Sequence, residues 1–181
     1  LSWHGNVALE LGLEWRIMIV IDEFVRKEVF PQVQDVFLKD KTFEWYWSNV
    51  VDDNTCDEID NHQFFHMFYY DYKPVSKYWS YIFPVVKKLK AKAIYSVKAN
   101  CNVRTENIIR HGFHVDVPTD YDSKTAILYL NTNNGYTEFE NGQRVESVAN
   151  RLVVFDSALK HTGTTCTDQK RRIVLNLNYI D

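Results

Sequence analysis

Cysteine is scarce in this chain: Cys56, Cys101 and Cys166 stand far apart among 181 residues. No Cys-x-x-Cys pair occurs, which excludes a zinc knuckle, and an odd, scattered set offers no disulfide framework. Reduced thiols of a cytoplasmic protein are the expectation. An excess of positive charge is missing as well. The formal net charge is −3, so the field that would draw a phosphate backbone is absent and no nucleic-acid partner is expected. The one basic run, Lys87-Lys88-Leu89-Lys90-Ala91-Lys92, reads as a solvated helix face. No apolar run approaches the roughly 20 residues that cross a bilayer, so no membrane partner is expected either. Gly-x-Ser-x-Gly does not occur, and with it goes the usual mark of a serine nucleophile. Internal repeats and low-complexity linkers are also absent.

What is present suits one globular domain. Hydrophobic residues make up 45% and charged residues 25%, a balance that argues against disorder in a chain long enough to bury a core. Residues 1–17 read as a poorly assigned leader. Trp3, His4, Glu10, Glu14 and Trp15 break the basic-then-apolar order of a signal peptide. A single domain is expected over residues 18–181, opening on a short buried strand from Ile17 to Ile21.

A helix follows, with Val29, Val33, Val36 and Phe37 at helical spacing and Pro31 in its first turn. Phe43 to Trp47 and Phe64 to Tyr70 are aromatic-rich and strand-like, and the polar stretch Val51 to Asn61 between them reads as loop. Tyr78, Tyr81, Ile82, Val85 and Leu89 form the apolar stripe of a second helix, which Pro84 should bend or begin. From Ala93 onward short strands dominate: Ile94 to Lys98, His114 to Val117, Thr125 to Asn131, Thr137 to Glu140, Arg144 to Val148, Leu152 to Phe155 and Arg172 to Tyr179. Asn134-Gly135 and Asn141-Gly142 are tight-turn signals. Helices first and about seven strands after them predict an antiparallel sandwich or barrel with helices outside.

His114-Val115-Asp116 spaces an imidazole and a carboxylate two residues apart, which on a strand puts both on one face. His161 is the natural third ligand. Two histidines and a carboxylate make a facial triad with coordination positions left open. His-x-Asp alone is also what an ordinary histidine beside an aspartate looks like. The last strand adds weight. Arg171, Ile173, Leu175, Leu177 and Tyr179 share a mostly apolar face. Arg172, Val174, Asn176 and Asn178 share a polar one, as expected where a sheet lines a polar cavity. An arginine there can grip a carboxylate through two charge-assisted bonds. His62 and His66 are a weaker metal pair. His111 would face away from His114 on a strand.

These elements in order resemble a known family: His114-Val115-Asp116, Ala126 to Asn131, Gly135 to Phe139, Asn150 to Phe155, His161 and Arg172, preceded by Val20-Ile21-Asp22-Glu23-Phe24. The chain looks like the prolyl-4-hydroxylase-type branch of the 2-oxoglutarate and Fe(II)-dependent oxygenases. The likeness runs from about Met18 to the end and is weakest between residues 40 and 92. It implies a mainly β fold, the double-stranded β-helix or cupin-like jelly roll, with supporting N-terminal helices. It also implies a dioxygenase using Fe(II), 2-oxoglutarate and O₂ to hydroxylate a peptidyl (prolyl-like) or small-molecule substrate, releasing succinate and CO₂. His114, Asp116 and His161 would hold iron. Arg172 would bind the distal carboxylate of 2-oxoglutarate, Tyr129 would supply a hydroxyl to the same cosubstrate, Asn176 would lie near that carboxylate, and Arg171 is the competing anchor. Tyr136 departs from the family, standing where many members have a second glycine. Lys98 to Gly112 looks long and polar, and is expected to be a mobile flap near the substrate. The alternatives are a cupin-type isomerase and a catalytically silent jelly-roll binding module.

Overall fold

In the computed structural model, which describes residues 18–50, 59, 61–117 and 123–181, the last strand organises the rest. This strand, β11 (Arg171–Ile180), is buried along nearly all its length. Ile173, Leu175, Leu177 and Tyr179 enter the main hydrophobic core, while Val174 joins a second, smaller core. The two-residue period of a strand thus feeds two separate interiors.

The elements in chain order are β1 (Ile19–Ile21), α1 (Phe30–Leu38), β2 (Tyr46–Ser48), β3 (Gln63–Tyr70), β4 (Lys73–Pro74), α2 (Trp79–Leu89), β5 (Ala93–Val103), β6 (Lys124–Tyr129), β7 (Tyr136–Phe139), β8 (Arg144–Glu146), β9 (Leu152–Asp156), β10 (His161–Gly163) and β11. Eight strands form the major sheet in the order β1-β9-β6-β11-β5-β3-β2, with β4 on β3, and β10-β7-β8 form a minor sheet. All the pairings are antiparallel. Ile127, Tyr129, Val153, Phe155 and Val174 of the major sheet meet Phe139 and Val145 of the minor sheet in the smaller core. Both helices bury their apolar stripes in the larger core. This is a mainly β jelly roll with two helices outside it.

Local chemistry explains most boundaries. Pro31 sits in the first turn of α1, where its missing N–H costs no helical bond. Pro84 lies inside α2 rather than at its start. The carbonyl it leaves unpaired is that of Ser80, an exposed residue whose carbonyl water can satisfy. The α2 stripe is Ile82, Val85 and Val86, whereas Tyr81 faces outward. Asn150 takes a left-handed φ of 66°. Its amide clasps Val25 through N–H and C=O at once, both at 2.8 Å, which ties the segment before α1 to the sheet.

Several expectations shift. The strand expected from Phe43 to Trp47 forms at Tyr46–Ser48. His114 to Val117 is not a strand: only His114 pairs, as an isolated bridge with His161. Lys98 to Gly112 is not a flap. Its first six residues complete β5, paired with β11 on one side and β3 on the other. The remainder is pinned by main-chain bonds from Arg104 to Lys170, Thr105 to Cys166 and His111 to Gly163, and by Thr165 to Ile109. The leader and most of the stretch Val51 to Asn61 lie outside the described residues, as does Cys56; Cys101 and Cys166 are buried free thiols. Among the described residues no helix is long and apolar enough to cross a membrane.

Arg171 turns away from β11's cavity face and donates to the carbonyls of Phe37 and Leu38 at 3.3 and 3.1 Å. The last turn of α1 has no basic residue of its own, so Arg171 meets the negative end of that helix from outside. Arg171→Ala is therefore expected to lower stability by about 1–2 kcal/mol in chemical denaturation. A midpoint unchanged from the parent would remove this capping role.

Candidate metal centre

The bridge between His114 and His161 consists of two main-chain bonds, each 3.0 Å, running in both directions. It brings together two residues far apart in the chain and sets their rings 4.8 Å apart between centroids. Each ring is oriented the same way. His114 Nδ1 lies 3.3 Å from the carbonyl of Gly112, and His161 Nδ1 lies 3.1 Å from that of Leu159. A carbonyl only accepts, so each Nδ1 carries a proton, and each Nε2 is the atom left to face a ligand. Those Nε2 atoms point to Asp116, at 3.8 Å from Oδ1 for His114 and 3.5 Å from Oδ2 for His161. Asn176 on β11 steadies Asp116 by donating to Oδ2 at 3.0 Å.

The three residues offer one ligand atom each, all within 4.8 Å of one another. Burial, followed by the nearby charge of His161, lowers the pKa of His114. Burial alone would raise that of Asp116, but His161, His114 and the Asn176 hydrogen bond outweigh it and hold it below the usual carboxylate range. A lone-pair imidazole and an ionised carboxylate are the forms that bind a metal. Two nitrogens and one oxygen on one side of an open cavity suit a first-row divalent ion such as Fe(II).

The cavity holds about 210 Å³ and is lined by the triad, by Lys98, Asn100 and Asn102 from β5, by Arg172, Val174 and Asn176 from β11, and by Gln63, His111, Ile127, Thr137 and Gly163 among others. Positions 98, 100 and 102 alternate onto this face, which accounts for the polar character of that stretch. His111 lines the cavity too; because its segment is not a strand, strand alternation does not turn it away from His114.

Arg172 is 3% exposed. Its Nε donates to Ser147 Oγ at 2.8 Å and its Nη2 to Thr137 Oγ1 at 3.0 Å. Its guanidinium lies 5.5 Å from the ring centroid of Tyr129. Among the described residues no carboxylate forms an ion pair with it. Burial lowers its pKa, yet a guanidinium stays protonated in proteins, so this is a buried cation held only by neutral hydroxyls and a ring. Such a group favours an incoming anion. Tyr129 is fully buried behind it, and burial raises its pKa, so the phenol stays a donor. Its hydroxyl goes to Thr137 Oγ1 at 2.8 Å, reaching the cavity through Thr137 rather than lining it.

A prolyl hydroxylase from Trichoplax adhaerens, solved with a hypoxia inducible factor oxygen degradation domain peptide fragment, superposes with a TM-score of 0.67 at 14% identity, over 91% of this chain and 83% of that one. The viral collagen prolyl hydroxylase of Paramecium Bursaria Chlorella virus-1, solved as its 2OG complex, gives 0.61 at 13% identity over 93% and 98%. This chain has the fold of the prolyl-hydroxylase-type 2-oxoglutarate/Fe(II) oxygenases. The same fold appears in the non-heme alpha ketoglutarate dependent epimerase SnoN from nogalamycin biosynthesis, with a TM-score of 0.62 at 10% identity over 92% and 77%. No protein-family model matches the sequence. Comparison with curated proteins finds no match either.

Within this oxygenase fold, His66 takes no part in the triad. It is buried in an aromatic cluster, with its ring 4.5 Å from Phe43 and 4.8 Å from Phe68, and it bonds to Glu44 O and Ser76 Oγ. His62 lies near the carbonyl of Ile59 instead. Residues that sequence reasoning missed are those that support Arg172, chiefly Ser147 and Gly135. No motif marks Ser147. Gly135 was visible, but as a turn signal. Its φ is not among the positive ones, whereas Gly142 in the other turn has φ +82°. A Cβ at Gly135 would stand 2.7 Å from Arg172 Cδ and 2.6 Å from the carbonyl oxygen of Thr165, so this glycine exists for close approach.

Gly135→Ala is accordingly expected to cost about 1–3 kcal/mol by overpacking against main chain and to displace Arg172. Thermal unfolding checks the first effect. The second should appear as weaker binding of a dicarboxylate by a protein that still binds metal. An alanine variant as stable as the parent would contradict the contact geometry.

Proposed function

We propose that this chain is a 2-oxoglutarate- and Fe(II)-dependent dioxygenase that hydroxylates a peptidyl, prolyl-like or small-molecule substrate. The observation that carries the proposal is one cavity shared by the His114, Asp116 and His161 ligand set and by the buried guanidinium of Arg172, which no described carboxylate pairs. A metal-dependent isomerase has no evident use for that second feature, and a silent binding module has no need for the first.

His114, Asp116 and His161 would hold the iron, and Arg172 the distal carboxylate of 2-oxoglutarate. When bound, iron and 2-oxoglutarate together supply the O₂-dependent oxidative decarboxylation that yields succinate and CO₂. The protein's own part is orientation. The Nδ1 bonds to Gly112 and Leu159 hold both imidazoles with Nε2 inward. Asn176 keeps Asp116 from rotating. Thr137 bridges Tyr129 and Arg172, fixing the fork that would meet a carboxylate bidentately. The cosubstrate is named in the viral neighbour's 2OG complex and a peptide ligand in the Trichoplax one; by analogy of fold, both carry over here as a proposal. Residues 18–181 are taken as one catalytic domain, and the cytoplasm as its compartment.

The test is anaerobic addition of Fe(II) and then 2-oxoglutarate, watching for the weak visible charge-transfer band of the chelate. The parent protein should show it. His114→Ala, Asp116→Ala and His161→Ala should each lose metal stoichiometry and the band. Arg172→Ala should keep iron but bind 2-oxoglutarate with a loss of about 2–5 kcal/mol, since the carboxylate is left unpaired. Arg171→Ala should bind both normally. The reverse order of the two arginines, or full iron loading in all three triad variants, would defeat the assignment.

A further inference from the structure

The same cavity contains a second cation that the proposed reaction does not use. Lys98 lines it from β5, directly across from Asn176 in the β5–β11 register. Its charge reaches both His114 and Asp116, yet it is half-buried and among the described residues it forms no ion pair. Among the described residues the only carboxylate lining the cavity is Asp116. Among the described lining residues the charges do not balance. A divalent ion outweighs Asp116 by one unit, and Arg172 and Lys98 each add one. The two carboxylates of 2-oxoglutarate offset two of these three charges.

The surplus charge sits away from the cosubstrate anchor. Arg172 pairs with Asn102 and Asn176 with Lys98, so the two cations stand four residues apart along paired strands, about 13 Å in strand rise. Between them on the same face is Asn100, whose Oδ1 is buried and accepts no hydrogen bond from the described residues. A buried acceptor without a donor is costly, as is a half-buried ammonium without an anion. A single ligand that brings a carboxylate to Lys98 and an N–H or O–H donor to Asn100 satisfies both.

Building on the dioxygenase reading, we infer that the primary substrate carries a free carboxylate, held by Lys98, and a neighbouring hydrogen-bond donor, held by Asn100. This narrows the substrate class from peptidyl or small-molecule compounds to acids of the amino-acid type, either free or at a peptide terminus.

The experiment uses the full chain loaded anaerobically with Fe(II) and 2-oxoglutarate. N-acetyl amino acids and their primary amides, pairs that differ only in the carboxylate, are titrated while the charge-transfer band is followed, so binding is read without turnover. Short peptides with a free or amidated C-terminus distinguish a terminal acid from a free one. At least one acid should perturb the band about tenfold more tightly than its amide, the worth of one charge-assisted hydrogen bond. Lys98→Gln should erase that preference and Lys98→Arg retain it. In Lys98→Gln the 2-oxoglutarate band itself should persist, with affinity weakened far less than in Arg172→Ala, which also shows that the fold is intact. Amides binding as well as acids, a panel in which no acid binds, or an acid preference that survives Lys98→Gln would each overturn the inference. So would a Lys98→Gln variant that weakens 2-oxoglutarate as much as Arg172→Ala does, since Lys98 would then belong to the cosubstrate. A parent protein without any band would instead defeat the dioxygenase reading.

Discussion

The strand at the centre of the major sheet must satisfy two environments at once. Its side chains alternate, and neither face is exposed to water. One face therefore has to be apolar enough to seal the helices onto the sheet, while the other has to be polar without losing its hydrogen bonds. Arg172 meets this demand by bonding to Thr137 and Ser147, and Asn176 meets it in part, its amide N–H bonding to Asp116 while its buried Oδ1 has no partner among the described residues. Those bonds reach across to the minor sheet and to the segment of His114 and Asp116, so the strand that closes the core also positions both ends of the cavity, the candidate triad and the buried Arg172. A shift of register by one residue would drive Arg171 and Ile173 into the cavity and Arg172 into the core.

This alternation is why much of the site was legible before any coordinates. Arg171 and Arg172 are adjacent and chemically identical, yet strand period alone separates them, one to a helix end and one to the cavity. The His114 and Asp116 pair was found with a reason that does not hold locally, because no strand runs through them. What brings them together is a bridge from His114 to His161 and a bend after it, and neither leaves a periodic mark in sequence. The segment from residue 98 was misread for a related reason. Polarity at Asn100 and Asn102 looks the same whether a side chain faces bulk water or an enclosed polar cavity. Gly135 illustrates the limit from another side. A glycine required by a neighbour's side chain is indistinguishable in sequence from one required by its own φ.

The electrostatics of the cavity follow from how few acids line it. Burial makes every uncompensated charge expensive, so a site whose described lining holds one carboxylate beside several cationic or metal-binding groups would favour anionic occupants. In this sense the cavity's composition describes its occupants. Arg172 is surrounded by hydroxyls that hold its fork in place and leave its charge unneutralised, and this distinguishes an anion receptor from a structural salt bridge.

The mutual main-chain bridge between the two histidines also bears on how the molecule holds together. The minor sheet has only three short strands, and its tie to the ligand-bearing segment near residue 114 is made of isolated bridges rather than a ladder. An ion held by His114, Asp116 and His161 would therefore act as a clasp across a long loop of chain, restricting the opened state far more than the closed one. The catalytic metal of such an enzyme would double as its structural staple, and loss of the ion would first loosen the edge of the barrel where it is bound.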